Sequence, residues 1–161
     1  MEDLVFCVQT LTSSSSLNIE QGLHYRYTIR ADSVSHAYRN DMLDNSRNVF
    51  GRLGAALGEL PRRFPELRHR LALRYIGLCL ETIANEAHPD NRRSICDKIR
   101  LVWSLCEDQR LQDSVQSVDN RVHTLRARSV LAALRRQWVV YPFLYYRLRN
   151  LLVRLRRLLC R

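Results

Sequence analysis

No acidic side chain occurs after Asp119. Residues 121–161 hold 11 arginines and no carboxylate, whereas residues 1–120 hold 15 basic and 16 acidic side chains. The net charge of +10 therefore belongs to the C-terminal quarter, and such asymmetry points to a polyanionic surface, either membrane headgroups or nucleic acid. Glycine and proline are scarce, at five and four, which disfavours a turn-rich β fold and favours long helices. Long apolar runs are missing too. The longest, Trp138–Tyr146, is far short of a membrane span and contains Pro142, so the chain is not expected to cross a bilayer. The five cysteines are odd in number and widely spread, with no CxxC and no zinc spacing. Without a signal-peptide pattern, the expectation is reduced thiols in a cytoplasmic protein, mostly as small core residues.

What is present suits one domain with a proper core: 161 residues, 46% of them apolar. Residues 2–12 read as a short helix, with Glu2 and Asp3 in the first turn and Leu4, Cys7, Val8 and Leu11 at helical spacing. The serines at 13–16 end it. Residues 22–30, GLHYRYTIR, are aromatic and β-branched and read as a strand. A helix face follows at Met42, Ser46, Val49, Phe50, Leu53, Leu57 and Leu60, ending before Pro61. A second is marked by Leu67, Leu71, Tyr75, Leu78, Cys79 and Ile83. A third is marked by Ile95, Ile99, Val102, Trp103 and Cys106, with Asp90 or Asn91 as N-cap. Residues 113–120 are polar and read as a linker. The basic stretch beyond is interrupted at Pro142, and its last helix carries Leu144, Leu148, Leu151, Leu155 and Leu158 on one stripe.

Two segments, EDLVF at 2–6 and LHYRYTIRADSVSH at 23–36, say more together than either alone. They resemble the C-terminal part of family 2 glycosyltransferases, where an ED-x-x-F helix precedes a strand of the form Y-Y-R-x-R-x-x-S-[IV]-[ST]. The matching residues are Glu2, Asp3 and Phe6, then Tyr25, Tyr27, Arg30, Ser33, Val34 and Ser35; Thr28 replaces an arginine and Asp32 a glycine. Members that build bacterial surface polysaccharide often append helices ending in a basic, aromatic stretch similar to this one. The resemblance implies a mainly α chain: a helical bundle-like C-terminal region with a short N-terminal helix and strand remnant of a GT-A-type α/β domain. Residues 1–36 would be the acceptor side of the catalytic domain, 37–120 a helical region, and 121–161 a basic amphipathic segment.

The resemblance also assigns chemistry. An inverting transferase needs a base on the acceptor hydroxyl, which is a poor nucleophile until deprotonated. Asp3 takes that role, with Glu2 beside it. Tyr25, Tyr27, Arg30, Ser33, Ser35 and His36 would border the acceptor. The same residues have plainer readings: strand positions with one buried face for Tyr25, Tyr27 and Arg30, helix caps for Ser33 and Ser35, a solvated surface for His36. Family members hold a divalent metal, Mn or Mg, with a DxD-type motif on the donor diphosphate. This chain has no DxD and no Gly-rich phosphate loop. It is therefore expected to carry no cofactor, to be a truncated frame or fragment lacking the donor half, and to be inactive alone.

The C-terminal stripe has three readings: packing on the helical core, lying on a membrane surface, or binding nucleic acid. Trp138, Tyr141, Arg147, Arg154, Arg156 and Arg157 suit an interfacial helix on acidic headgroups, at the inner face of the cell membrane. No recognised nucleic-acid motif supports the last reading. The competing function is a non-catalytic basic helical module bound to a membrane surface or nucleic acid.

Overall fold

The computed structural model describes the backbone of residues 2–16, 18, 37–118 and 125–159, and their side chains except at 2–4, 125–127, 154 and 156–159. The protein is mainly α. Among the described residues eight helices run in order: α1 Glu2–Ser13, α2 Met42–Leu57, α3 Leu60–Arg63, α4 Pro65–Glu86, α5 Ile95–Cys106, α6 Gln109–Ser117, α7 Leu125–Arg135 and α8 Val140–Leu159. No strand occurs among the described residues. The strand expected at 22–30 lies outside them.

Helix α4 is the hub, with α2, α3, α5, α6 and α8 all against it, while α1 rests on α2. Its buried positions Tyr75, Ile76, Cys79 and Ile83 meet Val102 and Cys106 of α5, Leu111 and Val115 of α6, Leu134 of α7 and Phe143 of α8 in one cluster. The Phe50 and Tyr75 rings lie 4.2 Å apart and tie α2 to α4. Burial pushes the Cys79 thiol up to about 12 and the Cys106 thiol up to about 11. Both stay protonated at neutral pH, as inert apolar filling. Cys7 and Cys96 are exposed, so the expectation of mainly buried cysteines holds for only part of the set.

Several boundaries fall elsewhere than the sequence pattern placed them. Helix α2 stops at Leu57 because Gly58 adopts φ 49°, a left-handed conformation that costs an L-residue about 1 kcal/mol or more. Pro61 then sits inside the first turn of α3, where a missing N–H is harmless. The N-cap of α5 is Ser94: its Oγ accepts from the Asp97 N–H at 3.1 Å and donates to the Asp97 carboxylate at 2.6 Å. Asn91 is unavailable for capping because it is buried against Glu86.

The supposed linker at 113–120 is largely helix α6. Leu111, Val115 and Val118 fall at spacings of four and three, on one buried face. Gln112 is also buried, donating to the carbonyls of Cys106 at 2.7 Å and Leu134 at 3.1 Å. Arg135 closes the C-terminus of α6 from α7. Its guanidinium donates to the Val115 carbonyl at 2.8 and 3.0 Å and to the Val118 carbonyl at 2.6 Å. Removing this fork leaves carbonyls without their charged donor, so Arg135→Ala is expected to cost about 2 kcal/mol. Arg135→Lys should recover only part of it, since an ammonium lacks the planar fork. Urea denaturation measures both.

On α1 the buried residue is Val5, whereas Cys7 and Leu11, both expected on the apolar face, are exposed. Among the described elements α1 packs mainly on α2, which leaves those two side chains uncovered.

The break before α8 comes at 136–139 rather than at Pro142. Gln137 takes φ 54°, Trp138 N–H donates to the Ala133 carbonyl at 2.8 Å, and Gln137 N–H to the Leu134 carbonyl at 3.1 Å. That pair of bonds is a Schellman ending. Pro142 lies in the first turn of α8 and interrupts nothing.

A part-buried polar latch joins the chain just before α2 to the end of α4. Asn85 and the backbone of Arg39 exchange two hydrogen bonds, of 2.9 and 2.8 Å. Next to them Glu86 is fully buried, accepting from Asn91 Nδ2 at 2.8 Å and facing the Arg93 guanidinium at 3.5 Å. Arg93 also reaches Asn40 Oδ1 at 3.4 Å. A buried carboxylate needs such partners, because leaving it unpaired would be strongly destabilising.

Candidate functional site on the C-terminal helix

Helix α8 shows two faces. Val139, Pro142 and Phe143 are buried, Tyr145 and Tyr146 half-buried, and Asn150 Nδ2 lies 3.4 Å from the carbonyls of Ala84 and Ala87. These residues seat the helix on α4. On the opposite side Val140, Tyr141, Leu144, Leu148, Leu151, Leu152 and Leu155 are exposed. At 100° per residue they span an arc of about 120°. Leu148 is 58% exposed and Leu151 54%, so the leucine stripe does not pack on the helical core. The reading of the stripe as core packing is thereby corrected.

Arg147 and Arg149 are exposed and flank this arc on its two sides. Arg154 and Arg156 follow them by seven residues in the backbone of α8, and Arg157 follows at once; the side chains of these three lie outside the described residues. Trp138, 59% exposed, precedes the helix with the Arg136 guanidinium over its ring at 5.3 Å. Tyr141 presents part of its ring and hydrogen-bonds Ser129 Oγ at 3.0 Å. Trp138, Tyr141 and Arg147 are thus all exposed. No helix among the described residues is long and apolar enough to cross a membrane.

The sequence pattern missed a groove beside the stripe. Its volume is about 630 Å³, and it lies between the α4–α5 turn, α5 and α8. Ala87, His88 and Pro89 form one side, Phe143, Leu144, Leu148 and Leu151 the apolar other side, and Lys98 and Arg147 add charge. Lys98 Nζ donates to the Asn91 carbonyl at 2.8 Å. Desolvation holds its amine below the usual lysine range, the nearby Arg147 lowers it further, and Glu86 partly opposes both. His88 and Lys98 come from elements far from α8 in sequence, so only the fold brings them together.

The other expected site residues are less informative. Glu2 and Asp3 stand in the first turn of α1, as the ED pair implied, with their side chains outside the described residues. Tyr25, Tyr27, Arg30, Ser33, Ser35 and His36 lie outside them altogether. Among the described residues no three His, Cys, Asp or Glu side chains converge as a divalent metal would require. No step through a metal is derived for this chain. No protein-family model, curated protein or solved structure matches the sequence.

Proposed function

We propose that this chain is the acceptor-side, C-terminal region of an inverting family 2 glycosyltransferase, whose α8 face seats the enzyme on an acidic membrane surface at the cytoplasmic side. The acceptor would be a lipid-linked or cell-surface glycan presented there, and the donor a nucleotide-sugar. In this reading Asp3 takes the proton of the acceptor hydroxyl as that oxygen bonds to the anomeric carbon and the bond to diphosphate breaks. Support for the enzyme class comes from the residues at 2–35 and from α1 starting at the ED pair.

The observation that carries the surface role is the exposed arc of α8: apolar along its middle, arginine at both borders, no acid anywhere in the helix. Apolar groups enter the headgroup boundary while arginines stay at its polar edge. Each arginine near an anionic surface adds about 1 kcal/mol.

Vesicle co-sedimentation tests this. The chain should bind anionic vesicles, bind neutral ones more weakly, and dissociate as salt rises, since the Debye length is about 10 Å at 0.1 M. Leu148→Ser with Leu151→Ser, which removes the apolar groups without adding charge, should weaken binding by at least about a hundredfold, given roughly 1.5–3 kcal/mol for each leucine fully buried. Both positions are exposed, so the fold should survive. Unchanged binding by the double variant would instead favour a purely electrostatic polyanion contact, as the nucleic-acid alternative requires. Deleting residues 138–161 is no substitute, because Val139 and Phe143 belong to the core.

A further inference from the structure

The groove beside α8 joins two features that seldom share a wall. One side is apolar and runs without interruption into the exposed leucines, through Leu144, Leu148 and Leu151. Lys98 of α5 and Arg147, which stands on α8 between those leucines, line the same groove, and Arg147 helps to hold the lysine amine below its usual range. Among the described residues no carboxylate lines the groove. The nearest acids are committed elsewhere: Glu86 to Asn91 and Arg93, and Asp90 to the neighbourhood of His88 Nδ1 at 3.7 Å. Among the described residues Arg147 makes no hydrogen bond or ion pair, and Lys98 spends one of its three N–H donors on the Asn91 carbonyl.

Two adjacent cations without an anion between them repel, and a shared anion would remove that cost while accepting their free donors. Phosphate suits the pair, since guanidinium and ammonium both bind its oxygens by charge-assisted hydrogen bonds. The volume of about 630 Å³ is that of a small-ligand site, too large for phosphate alone. The unfilled remainder is apolar and opens along the stripe that faces the proposed membrane surface.

We propose that this groove binds one phospholipid with an anionic phosphate headgroup. Lys98 and Arg147 hold the phosphate oxygens, and an acyl chain lies along Leu144, Leu148 and Leu151. The inference rests on the surface role of α8 and deepens it from a general field to a defined headgroup site.

The test uses the full chain in solution, with no vesicle present. Dihexanoyl phosphatidic acid, kept below its micelle concentration, is titrated while backbone amide resonances are followed. Saturable shifts should centre on Ala87, His88, Lys98 and Arg147. Lys98→Gln with Arg147→Gln should weaken binding at least tenfold, glutamine keeping a donor for the Asn91 carbonyl. A control removing the same charge far from α8, Arg63→Gln with Arg68→Gln, both exposed, should change it less than twofold. The proposal is overturned if the Lys98 and Arg147 variant binds like wild type. It is equally overturned if inorganic phosphate, or dihexanoyl phosphatidylcholine, binds the same residues equally well. None of these failures touches vesicle adsorption through the leucines, which co-sedimentation reads separately.

Discussion

Phe143→Ala is expected to destabilise the protein by about 3–5 kcal/mol, the usual range for truncating a buried aromatic ring. The side chain is 2% exposed and sits in the cluster shared by α4, α5, α6 and α7. Its removal subtracts the apolar transfer energy and leaves a cavity that the helices can only partly close. Leu144, the next residue, gives the contrast: it is 53% exposed, and Leu144→Ala should stay within about 0.5 kcal/mol. Urea midpoints for the two variants measure which face of α8 is the structural one. Equal effects would mean that the helix is rotated from the orientation described.

Under the proposed function, Asp3→Asn in the complete enzyme is expected to lower turnover by about 10²–10⁴-fold, the range typical of losing a general base. Asparagine keeps the side chain's size and most of its hydrogen bonding but cannot accept the acceptor's proton. Donor affinity should hardly change, because the base acts on the other substrate. A fall in turnover with donor binding intact separates chemistry from folding damage, and wild-type-like thermal unfolding completes the control. Turnover near wild type would leave Asp3 as a helix-start acid, stabilising its own first turn through the helix dipole.

The class of fold could be read from periodicity because α4 repeats its apolar residues cleanly, and Tyr75, Leu78, Cys79 and Ile83 are all buried. Where composition was weighed in place of period, the reading failed. The apolar residues that α6 and its end bury are few, Leu111, Val115 and the following Val118 among polar neighbours, and so the segment passed for a linker. Helix α1 carries apolar residues on more than one side, so its sequence does not say which side meets α2. The same ambiguity governs α8. Phe143, Tyr146 and Asn150 face inward while the more regular leucine row faces out, and a row of leucines by itself does not reveal which way it points. The arginines and aromatics beside that row were legible as chain-local pattern. Lys98 and His88 were not, since they reach the groove only through the turn that α4 and α5 share.

The latch between Arg39 and Asn85 has a consequence for working geometry. Residue 39 is only three positions beyond His36, the last of the segment expected to border the acceptor. Its backbone is held by two hydrogen bonds to the last turn of α4, and the next turn forms a wall of the α8 groove. Two bonds to one side chain oppose both sliding and twisting of residue 39 against the end of α4. In the proposed surface role, a tilt of the leucine row in the headgroup boundary would bear on residue 39 through the last turn of α4. The angle at which an acceptor approaches would then follow the plane of the membrane. Substituting Asn85 would loosen that angle while every residue that touches lipid stayed the same.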